Sequence, residues 1–295
     1  VSQRLERFAP AKVNLFLHVG PVAGDGYHPV SSLMVFADVG DRVRLTPAGE
    51  MSFGLTGLFA GALGSNADNL VLTARDRLLA RAGPSPAPFA LELDKQLPIA
   101  AGLGGGSADA AATLRLVADH LADQGLAAPD GDGLGAVARG LGADVAACLE
   151  SRPVIATGRG DVLQPFPALP VLDAVLVNPL APSPTGAVYR AYDAGDVATA
   201  DTPTLPGRFR DLAQVIAFLT PTRNDLQAPA VALQPLIGEV LAVLAAGPET
   251  LWSRMSGSGA TCLALCADPA AAAALAGRLR HERPEWWVRA CRLGA

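Results

Sequence analysis

The segment Leu97-Pro98-Ile99-Ala100-Ala101-Gly102-Leu103-Gly104-Gly105-Gly106-Ser107-Ala108-Asp109-Ala110-Ala111 restricts this chain more than any other. Upstream, Phe89, Leu91 and Leu93 alternate with Ala90, Glu92 and Asp94, which predicts a strand. Downstream, Ala110, Ala111, Leu114, Val117, Ala118 and Leu121 form one stripe, which predicts a helix from about Ser107 to Ala122. A glycine-rich turn between a strand and a helix can aim backbone N–H groups at a ligand and approach it closely. The helix start adds unpaired donors and a partial positive charge. Ala108, Ala110 and Ala111 keep the first turn free of bulk. Such a construction is a phosphate cradle. It is not a Walker A loop, because no Gly-Lys-Ser/Thr follows, and its glycine spacing does not fit a dinucleotide fingerprint.

The rest of the chain is read around this turn. Val13, Leu15 and Leu17 alternate with polar or aromatic neighbours and predict a strand. Ser32–Ala37 and Arg42–Leu45 read as two short strands with Gly40-Asp41 as a turn. A helix is expected from about Asn69 to Gly83, before the prolines at 84, 86 and 88. Asp130–Gly135 reads as a loop before a short helix that ends near Gly140 and Gly142. Further strands are expected near 154–157, 174–177, 251–255 and 261–266, and helices near 185–192, 210–218, 231–245 and 269–280. Strands and helices come in runs rather than in strict alternation, which favours an α+β class. With 295 residues, half of them hydrophobic, one large or two modest domains are expected. The boundary is placed at 1–155 and 156–295.

Charge removes several classes of partner. The net charge is −5 and no long basic run exists. A duplex-binding surface needs clustered Lys and Arg, so no nucleic acid is expected. No apolar run is long enough to cross a bilayer, so no membrane partner is expected. Val1–Ala11 carries Arg4, Glu6 and Arg7 without an apolar stretch, so the expected compartment is cytoplasmic. The Cys262-x3-Cys266 pair lies in an apolar run without nearby His, and is read as packing rather than metal binding. Of 23 basic residues only Lys12 and Lys95 are lysine. A chain that otherwise uses arginine keeps a compact ammonium at these two places.

Three segments together resemble the GHMP small-molecule kinases. Pro10-Ala11-Lys12-Val13-Asn14-Leu15-Phe16-Leu17 resembles the first motif of that family. The glycine turn with Pro98, Ala100, Gly102, Leu103, Gly104, Gly105, Gly106 and Ser107 resembles the second. Met255-Ser256-Gly257-Ser258-Gly259-Ala260-Thr261 resembles the third. The resemblance implies a two-domain α+β fold with an active site in the cleft between domains, and a loop that wraps the phosphates of ATP. It implies Mg²⁺ as a cofactor, with the Ser107 hydroxyl as a possible ligand that could equally be an ordinary N-cap. The family run Gly-Gly-Gly-Ser-Ser-Asn is departed from at Ala108 and Asp109; the added carboxylate is tolerable if it points away or meets Mg²⁺.

Within the family, Asp25-Gly26-Tyr27-His28, Leu141-Gly142-Ala143-Asp144-Val145, Asn224-Asp225-Leu226 and Asp94-Lys95-Gln96-Leu97-Pro98 resemble members whose acceptor is a small polyol bearing a cytidine diphosphate group. The resemblance implies phosphorylation of a hydroxyl on that polyol, on a route to isoprenoid precursors. Asp144 is then the candidate base and Lys12 its cationic partner. Tyr27 and His28 would stack on and hydrogen-bond the base, with Thr185 and Tyr189 as a second wall. Asn14, Ser256 and Gly257 would border the acceptor. Lys95 and Asn69 would lie near adenine, although Asn69 equally fits a plain helix start. Another acceptor, such as homoserine, mevalonate or a sugar, is the alternative. A non-catalytic relative need not keep Lys12 and Asp144, and an oxidoreductase needs different glycine spacing. Oligomeric state is left open.

Overall fold

Two long strands begin the fold, β1 (Leu5–Val19) and β2 (Val30–Pro47), and they pair with each other. The computed structural model that shows them describes residues 4–63, 69–82, 86–166 and 169–294. The expected turn at Gly40-Asp41 is absent, and β2 runs straight through it. Gly40 is there for close approach: a Cβ would lie 2.2 Å from the Ala9 carbonyl oxygen of β1. Asp41 is fully buried, with a buried partner described below.

The chain divides into two packing units that are discontinuous in sequence. The first comprises Val1–Ala11, Gly40–Ile99 and Gly104–Glu150. Here β4 (Phe89–Asp94) lies antiparallel to the second half of β2, from Arg42↔Asp94 to Pro47↔Phe89, and β3 (Ser52–Thr56) runs parallel to β4. The α-helices α1 (Leu70–Leu79), α2 (Gly105–Asp123), α3 (Gly131–Leu141) and α4 (Ala143–Glu150) join them. The alanine-rich face of α2 is buried, and α1 and α4 pack against the helix. Asn69 caps α1, accepting a hydrogen bond from the Val71 N–H at 2.9 Å. The helix ends before the expected stop, and Gly83 and Pro84 lie outside the described residues. The loop expected at Asp130–Gly135 is instead the start of α3, because Asp130 caps it through the Gly133 N–H at 2.8 Å.

The second unit comprises Lys12–Val39, Ala100–Leu103 and Ser151–Ala295. The hairpin β5 (Val154–Thr157) and β6 (Val162–Pro165) joins the first half of β2 through Ser32↔Ala156 to Met34↔Val154. A second group of strands centres on β7 (Leu172–Asn178), antiparallel to β9 (Cys262–Cys266) and to β10 (Trp287–Leu293), with β8 (Thr250–Met255) outside β9. The helices α5 (Thr185–Asp193), α6 (Leu212–Leu219), α7 (Gln227–Leu233), α8 (Pro235–Ala246) and α9 (Pro269–Glu282) accompany them. Val175, Val177, Val188, Ile237, Val240, Leu244, Leu275 and Leu279 lie in one buried cluster. The single helix expected over 231–245 is two, bent by 120°. Pro235 offers no N–H and drives Gln234 out of the helical region, to φ −136° and ψ 88°. Among the described residues no single helix is long and apolar enough to cross a membrane. All four cysteines are buried, and burial pushes the thiols of Cys262, Cys266 and Cys291 up. They are packing residues.

Candidate active site

Lys12–Leu17 of the first motif, Ala100–Leu103 of the second and the whole third motif lie in the second unit, where they bond to one another. The Lys12 N–H donates to the Leu103 carbonyl at 2.8 Å, and the Asn14 N–H to Ser256 Oγ at 3.0 Å. Ser256 Oγ in turn donates to the Gly102 carbonyl at 2.9 Å, and the Thr261 N–H to the Ala101 carbonyl at 3.1 Å. Gly102, at φ +73°, leaves no room for a side chain, since a Cβ would sit 2.2 Å from the Ser256 carbonyl oxygen. Gly257, at φ +56°, faces the same carbonyl of Gly102 and the Asn14 side chain. Asn224, from the Asn-Asp-Leu segment, fastens the third motif by donating to the Met255 and Gly257 carbonyls, both at 2.8 Å.

Lys12 and Asn14 form a buried polar chain. Lys12 Nζ donates to Asn14 Oδ1 at 2.8 Å, Asn14 Nδ2 to Ser32 Oγ at 2.7 Å, and Ser32 Oγ to the Phe16 carbonyl at 2.6 Å. Each donor fixes the next acceptor, so the ammonium is held by an oriented amide. Alternation along β1 puts Lys12 and Asn14 on one face.

In the first unit, α2 opens with two glycines, earlier than the sequence pattern indicates. Gly104 precedes it at φ +60°, and the first intrahelical bond runs from the Ala108 N–H to the Gly104 carbonyl at 2.9 Å. The N–H groups of Gly105, Gly106 and Ser107 therefore come before the ladder begins, and no acidic side chain in this turn competes for them. Asp109 does not face a phosphate. It is 2% exposed, and its Oδ2 accepts from Lys95 Nζ at 2.6 Å. Lys95, also 2% exposed, donates equally to Asp41 Oδ2 at 2.6 Å. Asp41 Oδ1 accepts from the N–H groups of Gln96 and Leu97. This cluster sits behind the turn, with Lys95 Nζ 3.0 Å from where a Gly105 Cβ would be. Burial pushes the Asp109 carboxyl up to about 8, with the Asp41 charge adding to it. Burial pulls Lys95 the other way, but the two carboxylates outweigh it and its ammonium stays charged. The structure thus ties Lys95 to two carboxylates and gives Asn69 to the cap of α1. Asp144 stands in the first turn of α4, half-buried, where helix N–H groups favour a carboxylate. It follows Gly142, at φ +159°.

A separate pocket of about 260 Å³ in the second unit is lined by Gly26, Tyr27, His28, Val30, Arg159 and Tyr189. His28 is wedged against Tyr189 and Tyr192, with ring centroids 4.9 and 6.0 Å away. Its Nδ1 lies 2.8 Å from the Gly20 carbonyl, and its Nε2 3.3 Å from Asp193 Oδ1. Tyr27 is 56% exposed. Thr185, at the start of α5, bonds Ser258 Oγ of the third motif at 2.8 Å, while Tyr189 one turn on faces His28. Thr185 and Tyr189 thus contact different neighbours, one turn apart on α5. Two residues here lie outside the sequence motifs: Arg159, which lines the pocket, and Asp193, which contacts His28. Both are 100 or more residues away from the Asp-Gly-Tyr-His segment, and only the fold brings them to it.

Phosphate groups suit this turn, because its donors are backbone N–H groups at a helix start. A hard cation finds in this turn the Ser107 hydroxyl but not Asp109, whose carboxyl is held by Lys95. Comparison with known proteins agrees. The family models for "GHMP kinases N terminal domain" and "GHMP kinases C terminal" match residues 69–152 and 204–284. The chain belongs to the GHMP kinases. A Caulobacter sp. (strain K31) protein named 4-diphosphocytidyl-2-C-methyl-D-erythritol kinase is 60% identical over 294 residues, covering 99% of each chain. A protein of the same name from Caulobacter vibrioides (strain NA1000 / CB15N) is 58% identical over 292 residues, covering 98% of this chain and 99% of its own. A crystal structure of 4-(cytidine 5'-diphospho)-2C-methyl-D-erythritol kinase matches with TM-score 0.76 at 33% identity, covering 99% of this chain and 100% of the other. Homoserine kinase from Cytophaga hutchinsonii, at 18% identity and TM-score 0.68, shares the fold.

Proposed function

We infer that this chain transfers the γ-phosphoryl group of ATP to the 2-hydroxyl of 4-diphosphocytidyl-2-C-methyl-D-erythritol. The products are the 2-phosphate and ADP, on the non-mevalonate route to isoprenoid precursors. The observation that carries this reading in the structure is the aromatic pocket of Tyr27, His28 and Tyr189, which suits a flat base; full-length identity to the named relatives supports it.

Phosphoryl transfer asks a protein for positioning, charge neutralisation and a group near the attacking hydroxyl. The residues fall into those roles. Gly102–Ser107 bind the ATP phosphates through backbone N–H groups. Asp144 accepts the hydroxyl proton as the new O–P bond forms. Lys12, held by Asn14, supplies positive charge against the transferred group. Mg²⁺, when bound, would neutralise phosphate charge, and Ser107 is the residue in the turn that would hold it. Tyr27 stacks on the cytosine, and His28, held at Nδ1 by the Gly20 carbonyl, presents Nε2 to the base edge in exchange for Asp193. Asn14, Ser256 and Gly257 border the polyol. The setting is the cytoplasm, where ATP and this water-soluble acceptor are found together.

ADP release with Mg-ATP and the cytidine acceptor tests the reading, with homoserine, mevalonate and galactose in parallel. Turnover with the cytidine acceptor alone is expected. Turnover with another acceptor instead overturns the reading of Tyr27 and His28. Asp144→Asn should cut kcat by about 10²–10⁴ while ATP still binds, and a loss below about tenfold is too small for a positioned base.

A further inference from the structure

Arg159 sits in the turn of the β5–β6 hairpin, between Gly158 at φ +67° and Gly160 at φ +90°. That turn is anchored: the Val30 N–H donates to the Gly158 carbonyl at 2.8 Å, and the Arg159 N–H to Asp161 Oδ1 at 3.0 Å. The guanidinium lies over the Tyr27 ring, 4.2 Å from its centroid. Its Nε and Nη2 both donate to Asp25 Oδ2, at 2.9 and 2.5 Å. Asp25 Oδ1 closes the circuit by accepting from the Tyr27 N–H at 3.0 Å. The Tyr27 N–H and the Arg159 guanidinium hold the Asp25 carboxyl below the usual carboxylate range, so it stays charged.

Both ends of this arrangement lead to Tyr27, one through its ring and one through its backbone. An exposed tyrosine on a loop would otherwise sample several rotamers, and binding a base against it would cost the entropy of stopping that motion. We propose that Arg159 is a positioning residue for recognition of the nucleotide-bearing acceptor, holding the Tyr27 ring ready to stack. The proposal rests on the reading of Tyr27 given above. A planar guanidinium pinned at two nitrogens is what the geometry uses, and an ammonium of the same charge does not reproduce it.

A double-mutant cycle tests this, with acceptor KM, ATP KM and kcat measured for wild type, Arg159→Ala, Tyr27→Ala, the double variant and Arg159→Lys. Arg159→Ala should raise acceptor KM about two- to fivefold, the range of an exposed cation–π contact. Its kcat and ATP KM should stay within about twofold, a split that general loss of folding does not give. The double variant should match Tyr27→Ala, because Arg159 has nothing to hold once the ring is gone. Arg159→Lys should behave like Arg159→Ala. Multiplying effects in the double variant, or full rescue by lysine, would mean that Arg159 meets the substrate's phosphates directly and would overturn the proposal, as would an unchanged KM in Arg159→Ala. If Tyr27→Ala leaves acceptor KM unchanged while Arg159→Ala raises it, the stacking role fails first and the proposal with it.

Discussion

Two clusters in this molecule use the same ingredients, a cation and carboxylates, to opposite ends. Lys95 with Asp41 and Asp109 is sealed behind the glycine turn, each side chain at most 3% exposed. Arg159 with Asp25 stands in the open, at 49% and 43% exposure. In the buried cluster every partner is needed, because a charge left alone in a dry interior is expensive. In the open cluster water replaces a lost partner, so its worth lies in what it does to Tyr27 rather than in stability. Burial, more than pairing, decides whether such a group holds up the fold or tunes a site.

The largest effect is expected at Lys95. Lys95→Met leaves two carboxyls facing each other in the interior and should lower unfolding free energy by about 3–5 kcal/mol, read by urea titration. A loss below about 1 kcal/mol would show the cluster to be wet. A smaller effect is expected from Asp109. Its carboxyl moves from an ordinary 3.8 to about 8 on folding, so the native state holds a proton that the unfolded chain has released. Stability from this group is therefore present at low pH and falls as pH rises between those values. Lys95, held charged, adds nothing in that window. Urea curves at pH 6 and pH 8.5 should show that fall in wild type and a flatter dependence in Asp109→Asn; parallel dependences would contradict the assigned shift. The smallest effect belongs to the open cluster. Arg159→Ala should change unfolding free energy by no more than about 0.5 kcal/mol. A loss as large as that of Lys95→Met would erase the distinction.

The sequence disclosed the parts of the site that depend on backbone and local order. Glycines that must adopt left-handed conformations, such as Gly102 and Gly104, and helix caps such as Asn69 carry their reason within a few residues. The motif segments around Lys12, Gly102 and Ser256 could be seen to belong together, and the structure joins them through direct bonds. What stayed hidden depends on distant partners. Asp41 reads as a turn residue beside Gly40 until Lys95, 54 positions later, is seen beneath it. Asp109 reads as an intruder near phosphate until the same lysine claims it. Arg159 carries no local mark of its pairing with Asp25, 134 residues away. The break at Pro235 was visible as a residue type, but the apolar periodicity on both sides of it outweighed it.

Phosphorus NMR of the reaction with Mg-ATP and 4-diphosphocytidyl-2-C-methyl-D-erythritol bears most directly on the central claim. One new phosphomonoester resonance should grow in step with ADP, while the acceptor's own diphosphate signals persist. Growth of inorganic phosphate without a monoester, or loss of the acceptor's diphosphate, would contradict phosphoryl transfer to the polyol hydroxyl.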